Sequence, residues 1–167
     1  MKTMSKADIS AEMTQSVLHT LSSMMAIEAR VSSMSDGPPR RTACDISAVL
    51  SLSSSTLSGT VTLHVNSKLA NRIAGAMLGD DALCNATEMT DETRDATGEF
   101  ANIVVGSFKP MISTLVGEAV RMSVPTVIVG KHHITQTLSG GQWSEARIDI
   151  EGEELVIEMV FSEEQAQ

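Results

Sequence analysis

Hydrophobic periodicity in this chain switches between helical and strand-like spacing in an order that excludes a regular strand–helix–strand repeat. Residues 7–26 place Ile9, Met13, Val17, Leu21 and Met24 at intervals of three and four, the stripe of an amphipathic helix. Residues 43–52 and 60–65 then alternate. Ala48, Leu50 and Leu52 stand against serines, and Val61, Leu63 and Val65 follow the same period, which specifies an antiparallel hairpin. A short helix comes next, opened by Asn66 or Ser67, striped by Leu69, Ile73 and Met77, and closed by Gly79 in a left-handed turn. Thr90, Asp91 and Glu92 begin the third and longest helical region, since carboxylates suit the positive end of a helix dipole, and apolar spacing continues to Leu115. Pro110 removes the amide that would bond the carbonyl of Gly106, so a kink or break is expected there. The remainder reads as strands at 120–129, 146–150 and 155–161, the last two forming a hairpin around Glu151-Gly152-Glu153-Glu154. Helices mixed with adjacent antiparallel strands give an α+β fold, an antiparallel-rich sheet with long helices packed on one face.

At 167 residues the chain reads as a single domain over 1–167. Turn formers at about 34–41, with Ser35-Asp36-Gly37-Pro38-Pro39-Arg40 at the centre, mark an exposed connector, and about 162–167 reads as a solvated acidic tail. A net charge of -9, with Arg40-Arg41 the longest basic run, excludes nucleic acid as a partner, because phosphate binding needs clustered cations. No window approaches the roughly 20 apolar residues of a membrane helix, and Met1-Lys2-Thr3-Met4-Ser5-Lys6 has no signal-like apolar core, so no membrane contact and a cytoplasmic location are expected. Cys44 and Cys84 lack disulfide or zinc spacing and read as reduced thiols. Against four aromatic residues, Phe100, Phe108, Trp143 and Phe161, eleven methionines suggest a core filled by flexible thioethers.

The third helix carries the pattern that asks for an explanation. Spacing residues at 100° places Ala96, Phe100, Ile103, Val104, Met111 and Leu115 on a core side and Asp95, Glu99, Asn102 and Gly106 on the other. Asp95 to Glu99 is i to i+4 and Glu99 to Asn102 is i to i+3, so a partner can read them as one unit. A glycine inside a helix costs about 1 kcal/mol against alanine. Gly106 lies on the polar side, where no core contact demands a small residue, and a closely approaching partner would explain it. An isolated Glu-x-x-Asn is equally compatible with plain decoration of a solvated face.

Asp95-x-x-x-Glu99-x-x-Asn102, followed after twenty-two residues by Pro125, resembles the motif of the CheC/CheX family of chemotaxis phosphatases. The helix near Asn71 to Gly79, Gly106 four residues past the asparagine, and Val124-Pro125-Thr126-Val127 extend that resemblance over most of the chain. It implies a CheC-like fold and dephosphorylation of the phospho-aspartate of a CheY-like response regulator. CheC proteins carry two copies of the motif, whereas residues 9–26 contain no Glu-x-x-Asn, so the chain resembles the single-site CheX type, commonly a homodimer. By the same resemblance Asn102 orients the attacking water, Glu99 reaches the regulator's active-site lysine, Asp95 caps or orients the helix, and Pro125 sets the path of a neighbouring strand. No cofactor is expected in this chain; Mg2+ is expected in the partner regulator. The alternative is a non-catalytic signalling module that binds a response regulator or another flagellar or chemotaxis protein.

Other candidates are weaker. His132-His133 have no third ligand and read as loop decoration. Ser139-Gly140-Gly141 lacks the lysine and strand-to-helix context of a phosphate loop and reads as a turn. The serines at 51–55 fit no nucleophile elbow, and Trp143 reads as a strand or interface anchor.

Overall fold

The computed structural model describes residues 6–37, 40, 42–135 and 141–163. In chain order the elements are α1 (Lys6–Met25), β1 (Arg30–Ser35), β2 (Cys44–Ser53), β3 (Leu57–Val65), α2 (Ser67–Leu78), α3 (Asp81–Cys84), α4 (Asp91–Val116), β4 (Arg121–Met122), β5 (Thr126–His133), β6 (Gln142–Ile150) and β7 (Glu153–Glu163). Antiparallel pairing gives the order β1-β6-β7-β3-β2-β4, with β5 also paired to β2. The three long helices pack on the sheet face that carries Ile46, Ala48, Leu50, Leu52, Leu63 and Ile157. This is the expected α+β arrangement.

The first hairpin and second helix form as their sequences dictate. Val61 pairs with Leu50 and Leu63 with Ala48, which puts both apolar sets on the core side. The Asn66 side chain accepts from the Leu69 amide, and Gly79 closes α2 at φ 67°. The C-terminal hairpin is tighter than its sequence suggests. Only Glu151 and Gly152 form the loop, both at positive φ (54° and 87°), a two-residue turn whose twist matches the strands it joins.

Several expectations are corrected. β1 occupies residues assigned to no strand, so the connector does not begin at 34; Met34 and Ser35 are still paired to β6. β7 likewise runs through Ser162 to Glu163, into the stretch read as tail. Residues 1–5, 38, 39, 41, 136–140 and 164–167 lie outside the described residues, and with them the N-terminal segment, most of the Ser139-Gly140-Gly141 turn and the end of the tail. The strand expected at 120–129 is two strands separated at 123–125, where Pro125 has no amide to donate to a ladder. α4 is not broken at Pro110. The proline is exposed, so water can bond the carbonyl it leaves unpaired.

The buried side of α4 is also rotated from the expected stripe. Ile103, Met111 and Leu115 are half-buried, while Ala101, Val105, Phe108 and Ile112 are fully inside, because α4 packs against α1 and α2 as well as the sheet. Among the described residues the core is mainly aliphatic; Met13, Met25 and Met159 are its buried methionines, so thioethers do not dominate it.

Candidate functional site

The site is built on α4. Thr90 and Thr93 form a reciprocal capping box, each hydroxyl accepting from the other residue's amide, at 3.3 Å and 3.2 Å. Asp91 and Glu92 occupy the first turn, where the helix dipole favours them. The cap is Thr90; Asp95, expected to cap or orient the helix, lies a turn further in, beside Arg94 at 3.2 Å, and so does not cap it. From α2, buried Asn71 donates to the carbonyls of Ala86 (2.9 Å) and Glu88 (3.0 Å) and accepts from the Thr93 hydroxyl (2.7 Å). Asn71 thereby ties the approach loop and the first turn of α4 to one neighbouring helix. Further along, Phe100, Val104 and Phe108 are buried in the main core and set the rotation of the helix.

That rotation leaves Asp95 and Glu99 exposed and Asn102 and Gly106 half-exposed. Among the described residues no hydrogen bond or ion pair engages the side chain of Glu99 or Asn102. The two lie about 4.5 Å apart along the axis, on a helix anchored along its opposite side. A Cβ added at Gly106 would meet nothing within 4 Å beyond the helix's own backbone, so packing against other elements does not account for the missing side chain.

Gly98, one residue before Glu99, does have an intramolecular reason. A Cβ there would come to 3.0 Å of Val127 Cγ2 and 3.6 Å of Pro125 Cγ. Pro125, remote in sequence, is thus brought to the helix against Gly98, the residue before Glu99. Sequence reading singled out Pro125 but missed Gly98 and Asn71. A glycine and a polar residue inside helices were the available signals, and neither reveals which distant segment it meets.

The arrangement is an outward-facing helix side. A cavity of about 640 Å³ is lined by Met25, Ile27, Arg72, Gly75, Cys84 and Glu151 among others, and contains none of Asp95, Glu99, Asn102 or Gly106. An exposed carboxylate and a half-exposed carboxamide on one helix side, outside that cavity, suit insertion into a macromolecule better than capture of a small substrate. Among the described residues no group of three or more His, Cys, Asp or Glu could hold a metal ion. No helix there is long and apolar enough to cross a membrane.

A second polar cluster lies on the other side of the sheet. His133 closes β5 and is not loop decoration: its Nε2 is 2.8 Å from Ser47 Oγ, which is 2.9 Å from His64 Nδ1. Gly130 O is 2.7 Å from His133 Nδ1 and can only accept, so that nitrogen carries a proton and donates to it. His64 Nε2 stands 3.4 Å from Glu158 Oε2, an ion-pair distance without hydrogen-bond alignment. Burial alone would depress the imidazole; its contacts with Cys44 and Glu158 outweigh that and push it up to about 9. The serine, histidine and carboxylate follow the order of a hydrolytic triad, but Ser47 is fully buried, so they form an internal strut across β2, β3, β5 and β7. Cys44 and Cys84 are free thiols.

Comparison with known proteins agrees with this architecture. Chemotaxis protein CheX from Vibrio vulnificus is 21% identical with a TM-score of 0.80, covering 90% of this chain and 97% of its own. A CheC-like superfamily protein from Shewanella sp. PV-4 is 23% identical with a TM-score of 0.83, covering 95% of this chain and 99% of its own. CheX from Borrelia burgdorferi, solved as a CheX-CheY-BeF3-Mg2+ complex, is 15% identical with a TM-score of 0.69, covering 90% and 96% respectively. At these identities the likeness shows the fold. No curated protein matches the sequence. The family described as chemotaxis phosphatase CheX matches residues 46–144, more than half the chain and a span that includes α4 and Pro125, and the chain therefore belongs to the CheX family.

Proposed function

We propose that this protein is a phosphatase of a CheY-like response regulator. The observation that carries the reading is the presentation of Glu99, exposed, and Asn102, half-exposed, both with unengaged side chains among the described residues, on a helix whose opposite side is locked into the core. Family membership and the Borrelia burgdorferi neighbour's complex with CheY support the partner class. An aspartyl phosphate is already activated, so its hydrolysis needs an aligned water more than a strong base. The Asn102 carboxamide accepts from and orients that water; the new P–O bond forms as the aspartyl O–P bond breaks, releasing inorganic phosphate and the regulator's carboxylate. Glu99 docks on the regulator's lysine through a charge-assisted hydrogen bond and sets the depth of Asn102. Magnesium that neutralises the phosphoryl charge belongs to the regulator's own carboxylates. The reading carries with it the family expectations of a homodimer and a cytoplasmic location.

The test is phosphate decay on a CheY-like regulator from the same organism. Wild type should accelerate it, and Asn102→Ala should lower kcat on the order of 10²-fold with binding kept. Glu99→Ala should weaken both binding and turnover. Equal turnover by Asn102→Ala refutes the mechanism; binding without acceleration by wild type favours the adaptor alternative.

A further inference from the structure

Between β4 and β5 the chain forms a short ledge at residues 123–125. Its first residue is pinned to β2: Ser123 N donates to Ser51 O at 2.9 Å, and Ser51 N donates to Ser123 Oγ at 3.0 Å. Ser123 Oγ donates onward to Val124 O at 2.9 Å. Its last residue, Pro125, packs beside Gly98 on α4, one position from Glu99. Between these two anchors Val124 is 83% exposed.

An exposed valine on a loose loop would need no explanation, since scattered apolar residues are ordinary on surfaces. Val124 is different because its backbone is held at both ends and one anchor is the site helix itself. An apolar group presented rigidly beside a polar recognition pair loses little entropy on contact and gains from leaving water. The helix face supplies a carboxylate and an amide; the ledge supplies the apolar element that such a small polar surface lacks.

We infer that Val124 is a docking and specificity contact for the same phosphorylated regulator, seated against an apolar residue on the rim of the regulator's acidic, phosphate-bearing pocket. This rests on the phosphatase reading above. Gly98 sets the spacing between helix and strand: a Cβ there would stand 3.0 Å from Val127 Cγ2, two residues past the ledge, and would press on the strand that carries Val124. The motif's remote proline lies against Gly98, the residue before Glu99, so polar and apolar contacts move as one body.

The test measures KM and kcat for phosphate decay, with direct binding of a regulator carrying beryllofluoride as a stable phosphoryl mimic. Val124→Asp should leave the melting temperature and kcat unchanged and raise KM about tenfold, with the same loss in binding, whereas Val124→Leu should keep wild-type values. Gly98→Ala should raise KM, and Gly98→Ala combined with Val127→Ala, which returns the space, should restore it. An unchanged KM in Val124→Asp, with wild type active, overturns the inference and leaves the phosphatase reading standing. Wild type that neither binds the mimic nor speeds decay removes that reading and this one together. A defect in Gly98→Ala that Val127→Ala does not relieve overturns the spacing role.

Discussion

Replacing Gly106 with alanine should move stability and partner affinity in opposite directions. Glycine inside a helix is disfavoured by about 1 kcal/mol against alanine, through backbone entropy. The added methyl would meet nothing within 4 Å, so the folded chain should collect that difference in full. For a domain of this size about 1 kcal/mol raises Tm by roughly 2–4 °C. The same methyl points from the side that carries Glu99 and Asn102, and overlap with a closely seated partner typically costs about 1–3 kcal/mol, or about 5- to 150-fold in affinity. The assays are a thermal melt and regulator binding on the same preparation. A competing role for Gly106 exists within the chain. Pro110 lies four residues on, and its ring crowds the Gly106 carbonyl, which a glycine backbone can shift to accommodate. Under that role alanine would lower Tm and leave affinity alone, and that outcome would refute the partner-contact argument.

Two further predictions concern what holds the site in place. Asn71→Ala should remove three hydrogen bonds made by a fully buried amide and destabilise the fold by roughly 3 kcal/mol, a fall of about 6–12 °C in Tm by calorimetry; an unchanged melt would show that the tie between α2 and α4 is not structural. His64 holds its proton more tightly folded than unfolded, so its contribution, on the order of 2–3 kcal/mol, is complete below about pH 6.5 and lost as pH rises through about 9. Wild-type Tm should therefore fall across that window and His64→Gln should flatten the fall; a wild-type curve with no decline there contradicts the charged assignment.

How much could be read from the sequence follows from where each signal resides. α2 was legible to its caps because Asn66 and Gly79 act on their own helix ends, and α4 because Thr90, Asp91 and Glu92 announce its start. β1 was not, because Arg30, Val31, Ser32, Ser33, Met34 and Ser35 form an edge strand in which every residue but Ser33 is exposed, so no apolar alternation marks it. The four residues of α3 are too few to show a period. The strut of Ser47, His64, His133 and Glu158 depends on cross-strand register, with Ser47 opposite His64, and on a bulge in the β2–β5 pairing near Cys44. Neither is encoded locally. At the site, Glu99 and Asn102 were legible because one helix spaces them, while the packing of Pro125 against Gly98 is a contact visible only after folding.

The position of Glu99 and Asn102 within a doubly capped α4 also bears on how the site would be lost. Helices open from their ends, and Thr90 with Thr93 at one end and Gly117, whose amide bonds Ser113 O, at the other restrain that opening to the outer turns. The two residues sit more than two turns from either cap, over buried Phe100 and Val104. Their backbone amides should be among the slowest in the helix to exchange hydrogen, and the water-aligning geometry should survive until the whole domain unfolds. Activity on warming would then track the folded fraction, with no earlier loss from local fraying.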